Sequence, residues 1–194
     1  MTDDTTPRRK RPRRTGEGSL PGDPSREDLV ARMIRVDHAG EVGAVRIYQG
    51  QLAVLGGTKA GAVIQRMAKA EARHLETFEK LMVARRVRPT LLSPLWHVAG
   101  YALGATTALL GPEAAMACTV AVEEVIDEHY QRQAELLGED ETALGATIEE
   151  FRGEEVEHRD TALANAAREA PAYRPLTEAI KAGSRLAIWL STRF

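Results

Sequence analysis

The chain has 194 residues, enough for one sizeable core or for a domain with a tail. Its 43% hydrophobic and 28% charged residues describe a globular composition, and 5% aromatics with abundant Ala and Glu favour helices over a β-sandwich. A single cysteine, Cys118, excludes an intramolecular disulfide framework and any all-cysteine zinc or iron–sulfur site; a net charge of −2 excludes a globally basic nucleic-acid binder.

The first segment, Met1 to Pro24, lacks hydrophobic periodicity, contains four prolines and carries six positive charges between Arg8 and Arg14. It reads as a disordered basic tail, 1–24, ahead of one folded domain, 25–194. No apolar run follows the charges, so it does not read as a secretory signal, and Asp3 and Asp4 argue against a transit peptide. Anionic lipid is the natural partner for such a tail, with nucleic acid or no specific partner as alternatives.

From Ser25 the pattern is helical. Ser25 with Asp28 forms a capping box opening a helix to about Leu55, with Leu29, Met33, Val36, Val42, Val45, Leu52 and Leu55 as its apolar stripe and Gly56-Gly57 as its end. A second helix is expected from about Lys59 to Val87, a third from near Pro112 to Leu137, and a fourth from about Glu141 to Glu169. The last, about Pro175 to Thr192, places Leu176, Ile180, Gly183, Leu186 (or Ala187) and Leu190 on one face. Four helices of about 40 Å each give an all-α four-helix bundle with an additional C-terminal helix.

Between the second and third helices, Pro89 to Pro112 contains no Asp, Glu, Lys or Arg. Pro94, His97, Thr106, Thr107 and three glycines make it a poor membrane-spanning helix. It reads as a hydrophobic crossover packed over the core, one surface dipping into the membrane interface with Trp96 and Tyr101 at headgroup depth.

Two histidines follow a glutamate by three residues, Glu71-x-x-His74 and Glu155-x-x-His158, so each pair shares a helix face. Glu41 precedes the first pair by 30 residues and Glu123 the second by 32, dividing the chain into two similar halves. One Glu helix and one Glu-x-x-His helix per half is the ligand pattern of di-iron and di-manganese carboxylate bundles. The alternative is solvated charge on amphipathic helices, the natural reading of Glu76, Glu79, Glu149 and Glu150. Glu123, however, ends the apolar run Ala117 to Val122, and a carboxylate buried there must be neutralised or paired. Hard oxygen donors with two imidazoles suit iron or manganese better than zinc or copper.

Arg35-Val-Asp-His-Ala-Gly-Glu41, Arg46-Ile-Tyr48, Ala117-Cys-Thr-Val-Ala-Val-Glu-Glu124, His129-Tyr130, Glu154-Glu-Val-Glu-His158 and Arg185-Leu-Ala-Ile-Trp-Leu-Ser191 together resemble the demethoxyubiquinone hydroxylase family, over about residues 28–194. The resemblance implies a ferritin-like bundle holding two iron ions per chain on Glu41, Glu71, His74, Glu123, Glu155 and His158, with Glu71 and Glu155 bridging. It also implies a place near the quinone for His129 and Tyr130; for Tyr130 the alternative is a core aromatic with a satisfied hydroxyl. Glu124 and Glu154 point about 100° away from their ligand neighbours and are read as non-ligands. Asp127, one turn from Glu123, is within reach of a supporting role toward the ligands, but it matches no family position that would assign it one.

The implied reaction hydroxylates the ring of a polyprenyl demethoxyubiquinol, using O2 and two electrons from NADH or from the quinol itself. No Gly-x-Gly-x-x-Gly is present for a nicotinamide. A polyprenyl substrate implies peripheral association with the cytoplasmic side of the cell membrane, partner proteins of ubiquinone biosynthesis, and no nucleic acid. The nearest rival is a bacterioferritin-like iron oxidase or storage bundle, which would not need the uncharged crossover; a non-catalytic helical scaffold at the membrane is the other.

Overall fold

The computed structural model describes residues 23–194, so the basic cluster 8–14 and nearly all of the expected tail lie outside the described residues. Six helices follow: α1 Arg26–Leu55, α2 Lys59–Arg85, α3 Ser93–Leu109, α4 Pro112–Leu136, α5 Thr142–Ala164 and α6 Tyr173–Ser191. Short 3-10 turns occupy Glu139–Glu141 and Ala167–Glu169, and no strand forms among the described residues. Helices α1, α2, α4 and α5 make a ferritin-like four-helix bundle; α3 lies along α1 and α6 along α4.

Local chemistry sets the boundaries. The Ser25 hydroxyl accepts from the Asp28 amide while the Asp28 carboxylate accepts from the Ser25 amide, as the sequence leads one to expect. Thr58 caps α2 through the Gly61 amide, and Arg86 ends it in the left-handed region. The fourth bundle helix is shorter than expected, stopping at Ala164 before a turn with Ala166 at φ 65°. The crossover, expected only as a packed connection, is a 17-residue helix with Pro94 in its first turn.

Glycine makes that helix possible where it lies. A Cβ on Gly104 would sit 1.9 Å from the Ile47 carbonyl oxygen, and one on Gly50 would sit 2.2 Å from that of Tyr101. The α1 and α3 backbones therefore nearly touch. Packing so close turns the larger side chains of α3 elsewhere: Leu91, Leu95, Val98, Leu109 and Leu110 at or beside it are exposed, Val98 by 69%. On α6 the inward face carries Leu176, Ile180, Gly183 and Ala187, while Leu186 and Trp189 are exposed. No helix is long and apolar enough to cross a membrane among the described residues.

Candidate metal centre and adjoining cavity

All six expected metal-binding residues converge in the middle of the bundle. Glu41 comes from α1, Glu71 and His74 from α2, Glu123 from α4, and Glu155 and His158 from α5. All six are buried. Their donor atoms fall into two groups, Glu41/Glu71/His74/Glu155 and Glu71/Glu123/Glu155/His158, each with all atoms within 4.8 Å of one another. Glu71 and Glu155 belong to both groups.

Nδ1 is the inward nitrogen of each imidazole. His74 Nδ1 lies 3.1 Å from Glu155 and 3.6 Å from Glu41; His158 Nδ1 lies 2.9 Å from Glu71 and 3.4 Å from Glu155. Yet both oxygens of Glu71 and of Glu155, Oε2 of Glu41 and of Glu123, and both Nδ1 atoms lack a hydrogen-bond partner. Eight buried donor atoms facing one another without partners fit metal ions: oxygen-rich, with one imidazole per group.

Electrostatics agree. Burial, reinforced by Glu155, pushes the Glu71 carboxyl up to about 8, and Glu41 and Glu123 also rise chiefly through burial. Burial opposes charge on the imidazoles, but the surrounding carboxylates outweigh it, carrying His74 up to about 11 and His158 to about 9. Burial raises the Glu155 carboxyl, but the imidazoles of His158 and His74 beside it outweigh that and carry it down to about 2. Protons thus offset the charge of the converging carboxylates.

Two tyrosines tie the halves together. Tyr48 lies seven residues after Glu41 and donates its hydroxyl to Glu123 Oε1 at 2.8 Å; Tyr130 lies seven residues after Glu123 and donates to Glu41 Oε1. Tyr130 is thus a buried aromatic with a satisfied hydroxyl, and its partner is one of the expected ligands. The repeated Glu-x6-Tyr spacing is the sequence signal for Tyr48, whose role only the structure reveals.

A cavity of about 550 Å³ lies between α1, α3, α4 and α6. Its walls are almost wholly apolar, from Ile47, Leu103, Val122, Ile126, Ile180 and Ile188, and its polar groups are few. Of the six converging residues only Glu41 lines it, together with Tyr130, His129 and Asp37. Asp37 Oδ1 accepts from His129 Nε2 at 2.9 Å and from Gln133 Nε2 at 2.7 Å. Burial raises the Asp37 carboxyl against the lowering effect of His129. Asp37 is one helical turn before Glu41, a spacing that could have singled it out.

Two further expectations resolve differently, and two hold with an addition. Asp127 does not support the ligands; it binds Arg152 at 2.7 Å, away from the cluster. Trp96 turns inward, lining the cavity and donating to Ser191 Oγ at 3.0 Å, whereas Tyr101 stays exposed beneath Arg46. Glu124 is no donor to the cluster and pairs with Lys181 of α6. Glu154 is likewise not among the clustered donors, but its carboxylate takes the outer nitrogen of His74 at 2.8 Å. Facing away from the centre therefore does not leave Glu154 idle.

The family description "Ubiquinone biosynthesis protein COQ7" matches residues 28–191. A 3-demethoxyubiquinol 3-hydroxylase of Rhodospirillum rubrum is 62% identical over 182 residues, covering 93% of this chain and 86% of the relative. The mitochondrial NADPH-dependent 3-demethoxyubiquinone 3-hydroxylase of Mus musculus is 58% identical over 169 residues (85% and 78%), and the mitochondrial 5-demethoxyubiquinone hydroxylase of Saccharomyces cerevisiae is 44% identical over 182 (85% and 78%). With its paired Glu and Glu-x-x-His helices closed around one buried centre, the chain belongs to the COQ7 family of ubiquinone biosynthesis.

Proposed function

We propose that the chain hydroxylates the ring of a demethoxyubiquinol in ubiquinone biosynthesis, with two iron ions held by Glu41, Glu71, His74, Glu123, Glu155 and His158 and with Glu71 and Glu155 bridging. The observation that carries this reading is the pair of interlocking buried donor groups, whose shared members are those two glutamates. When bound, the reduced iron pair supplies the chemistry by which O2 gives one oxygen atom to the ring and the other to water, using two electrons from NADH or the quinol.

The chain's own groups do the rest. The apolar cavity takes the substrate and excludes bulk water, and His129 and Tyr130 meet the ring at the end where Glu41 lies. Asp37 holds His129 in place. Exposed apolar residues of α3 and α6, Leu95, Val98, Leu186 and Trp189 among them, seat residues 25–194 on the cytoplasmic face of the membrane, with residues 1–24 as a basic tail beside anionic lipid. Partner proteins of the same biosynthesis fit such a surface. Replacing Glu123 by Ala is the direct test. The variant purified anaerobically should hold fewer than two iron ions per chain, and a strain relying on it should accumulate a quinone lacking one methoxy group. Two irons per chain with normal quinone would overturn the ligand assignment; low iron without that intermediate would return the storage reading.

A further inference from the structure

The two halves of the centre mirror each other in the terminal glutamates, the shared glutamates, the histidines and the tyrosines. They differ outside the histidines. His74 presents Nδ1 to the cluster and Nε2 to Glu154 Oε2 at 2.8 Å. Arg73, the residue before His74, donates to both oxygens of Glu154 and reaches Glu150 at 3.0 Å. Phe151 stacks on the His74 ring with centroids 3.9 Å apart. His74 is thus fixed in tilt and rotation. His158 also presents Nδ1 inward, but no hydrogen bond is made to its Nε2 among the described residues. Glu154 stands immediately before Glu155, and the matching position before Glu71 is Ala70.

An imidazole that donates its outer N–H to a carboxylate is a more basic and better-oriented metal donor than one that does not. We propose that Glu154, steadied by Arg73, makes the two metal positions unequal. The position formed by Glu41, Glu71, His74 and Glu155 binds its ion more tightly than the one formed by Glu71, Glu123, Glu155 and His158. Since Glu41 alone of the six lines the cavity, the firmly held position is the one beside the cavity, and the loosely held one lies deeper. Glu154 and Arg73 act through His74 and are positioning residues. The inference rests on the proposed two-metal reading.

Anaerobic titration with Co(II), followed by calorimetry and by the ligand-field absorption of the bound ion, tests it without turnover. The wild-type chain should bind two ions in steps separated by about 10-fold or more. Glu154→Ala should weaken the tight step by about 10–100-fold and leave the loose step unchanged, and Glu154→Gln, which keeps an acceptor, should fall between. Arg73→Ala should move the same step by less. Two equal steps in the wild type, or a Glu154→Ala variant that loses both equally or neither, would overturn the inequality while leaving the two-metal reading intact. Failure of the wild type to bind Co(II) at all would overturn the two-metal reading itself. Glu154→Gln, nearly isosteric, keeps the test decisive if the alanine variant does not fold.

Discussion

At the residue scale, the crossed tyrosines are where the centre's fixed geometry originates. Each hydroxyl is buried and donates to a carboxylate of the opposite half. Tyr48→Phe removes the tyrosine's hydrogen bond to Glu123 Oε1 without opening a large void. A buried acceptor losing its donor costs about 1–3 kcal/mol. Urea unfolding of the metal-free variant should show that loss, and an unchanged midpoint would mean that Glu123 finds another donor. Asp37→Ala should act differently, because it strips the acceptor from both His129 and Gln133 at the cavity wall rather than touching the cluster. Iron content should stay at the wild-type level while kcat/KM for the quinol falls on the order of 100-fold through misplacement of His129. The six clustered residues were legible because three-residue spacing and a repeated half survive in one dimension. The contacts of Glu154, Tyr48 and Asp37 are not written in one dimension: each acts on a residue of another helix, and that contact depends on how the helices rotate against one another. Asp127 misled for the same reason, since one turn from Glu123 on α4 places it opposite Arg152 of α5.

At the scale of elements, α2 and α6 each keep one buried stripe and one wet face, whereas α1 and α4, buried on several sides at 36–39 and 114–123, are marked by their caps and breakers, Ser25, Gly56-Gly57, Pro112 and Gly138. Helix α3 differs: its contact with α1 is made by glycines and backbone, Trp96 and Leu103 face the cavity, and Leu95, Val98 and Leu109 are exposed. Its sequence therefore records closeness rather than amphipathicity. Gly104→Ala should be costly, since the new Cβ meets a main-chain oxygen that cannot swing aside. Overpacking of this kind costs about 1–3 kcal/mol, measurable as a lowered urea midpoint, and the displaced α3 should also reshape the cavity that Gly100 and Leu103 help line. Leu95→Ser with Val98→Ser should leave the urea midpoint within about 0.5 kcal/mol, because both side chains are exposed. The same pair should reduce flotation with liposomes, each lost apolar side chain weakening interfacial binding. Equal flotation of the double variant and the wild type would remove α3 from the membrane contact.

For the whole molecule, the centre couples folding to protons and, with the proposed iron pair, to metal. In the metal-free chain the Glu71 carboxyl is pushed up to about 8 from an ordinary 4.5, and Glu41 and Glu123 are raised as well. His74 rises to about 11 and His158 to about 9 from 6.5. A raised value means that the folded chain holds the proton where the unfolded chain has released it. The stabilisation is complete below the unfolded value and is lost as pH climbs through the folded one. Carboxylates and imidazoles therefore act in the same direction, and between about pH 5 and pH 9 the metal-free chain should become steadily less stable. Glu155, lowered to about 2, works in the opposite sense, but only below its ordinary value of 4.5. Bound cations replace those protons, so loading should release them and remove most of the pH dependence. Thermal melts with a chelator should show Tm falling from pH 6 to pH 9, whereas melts with Fe(II) under anaerobic conditions should stay nearly level. The gap between the two curves should thus widen with pH. A metal-free Tm that held steady or rose over that range would show that the cluster is not held together by protons, and the buried charge would then need another partner.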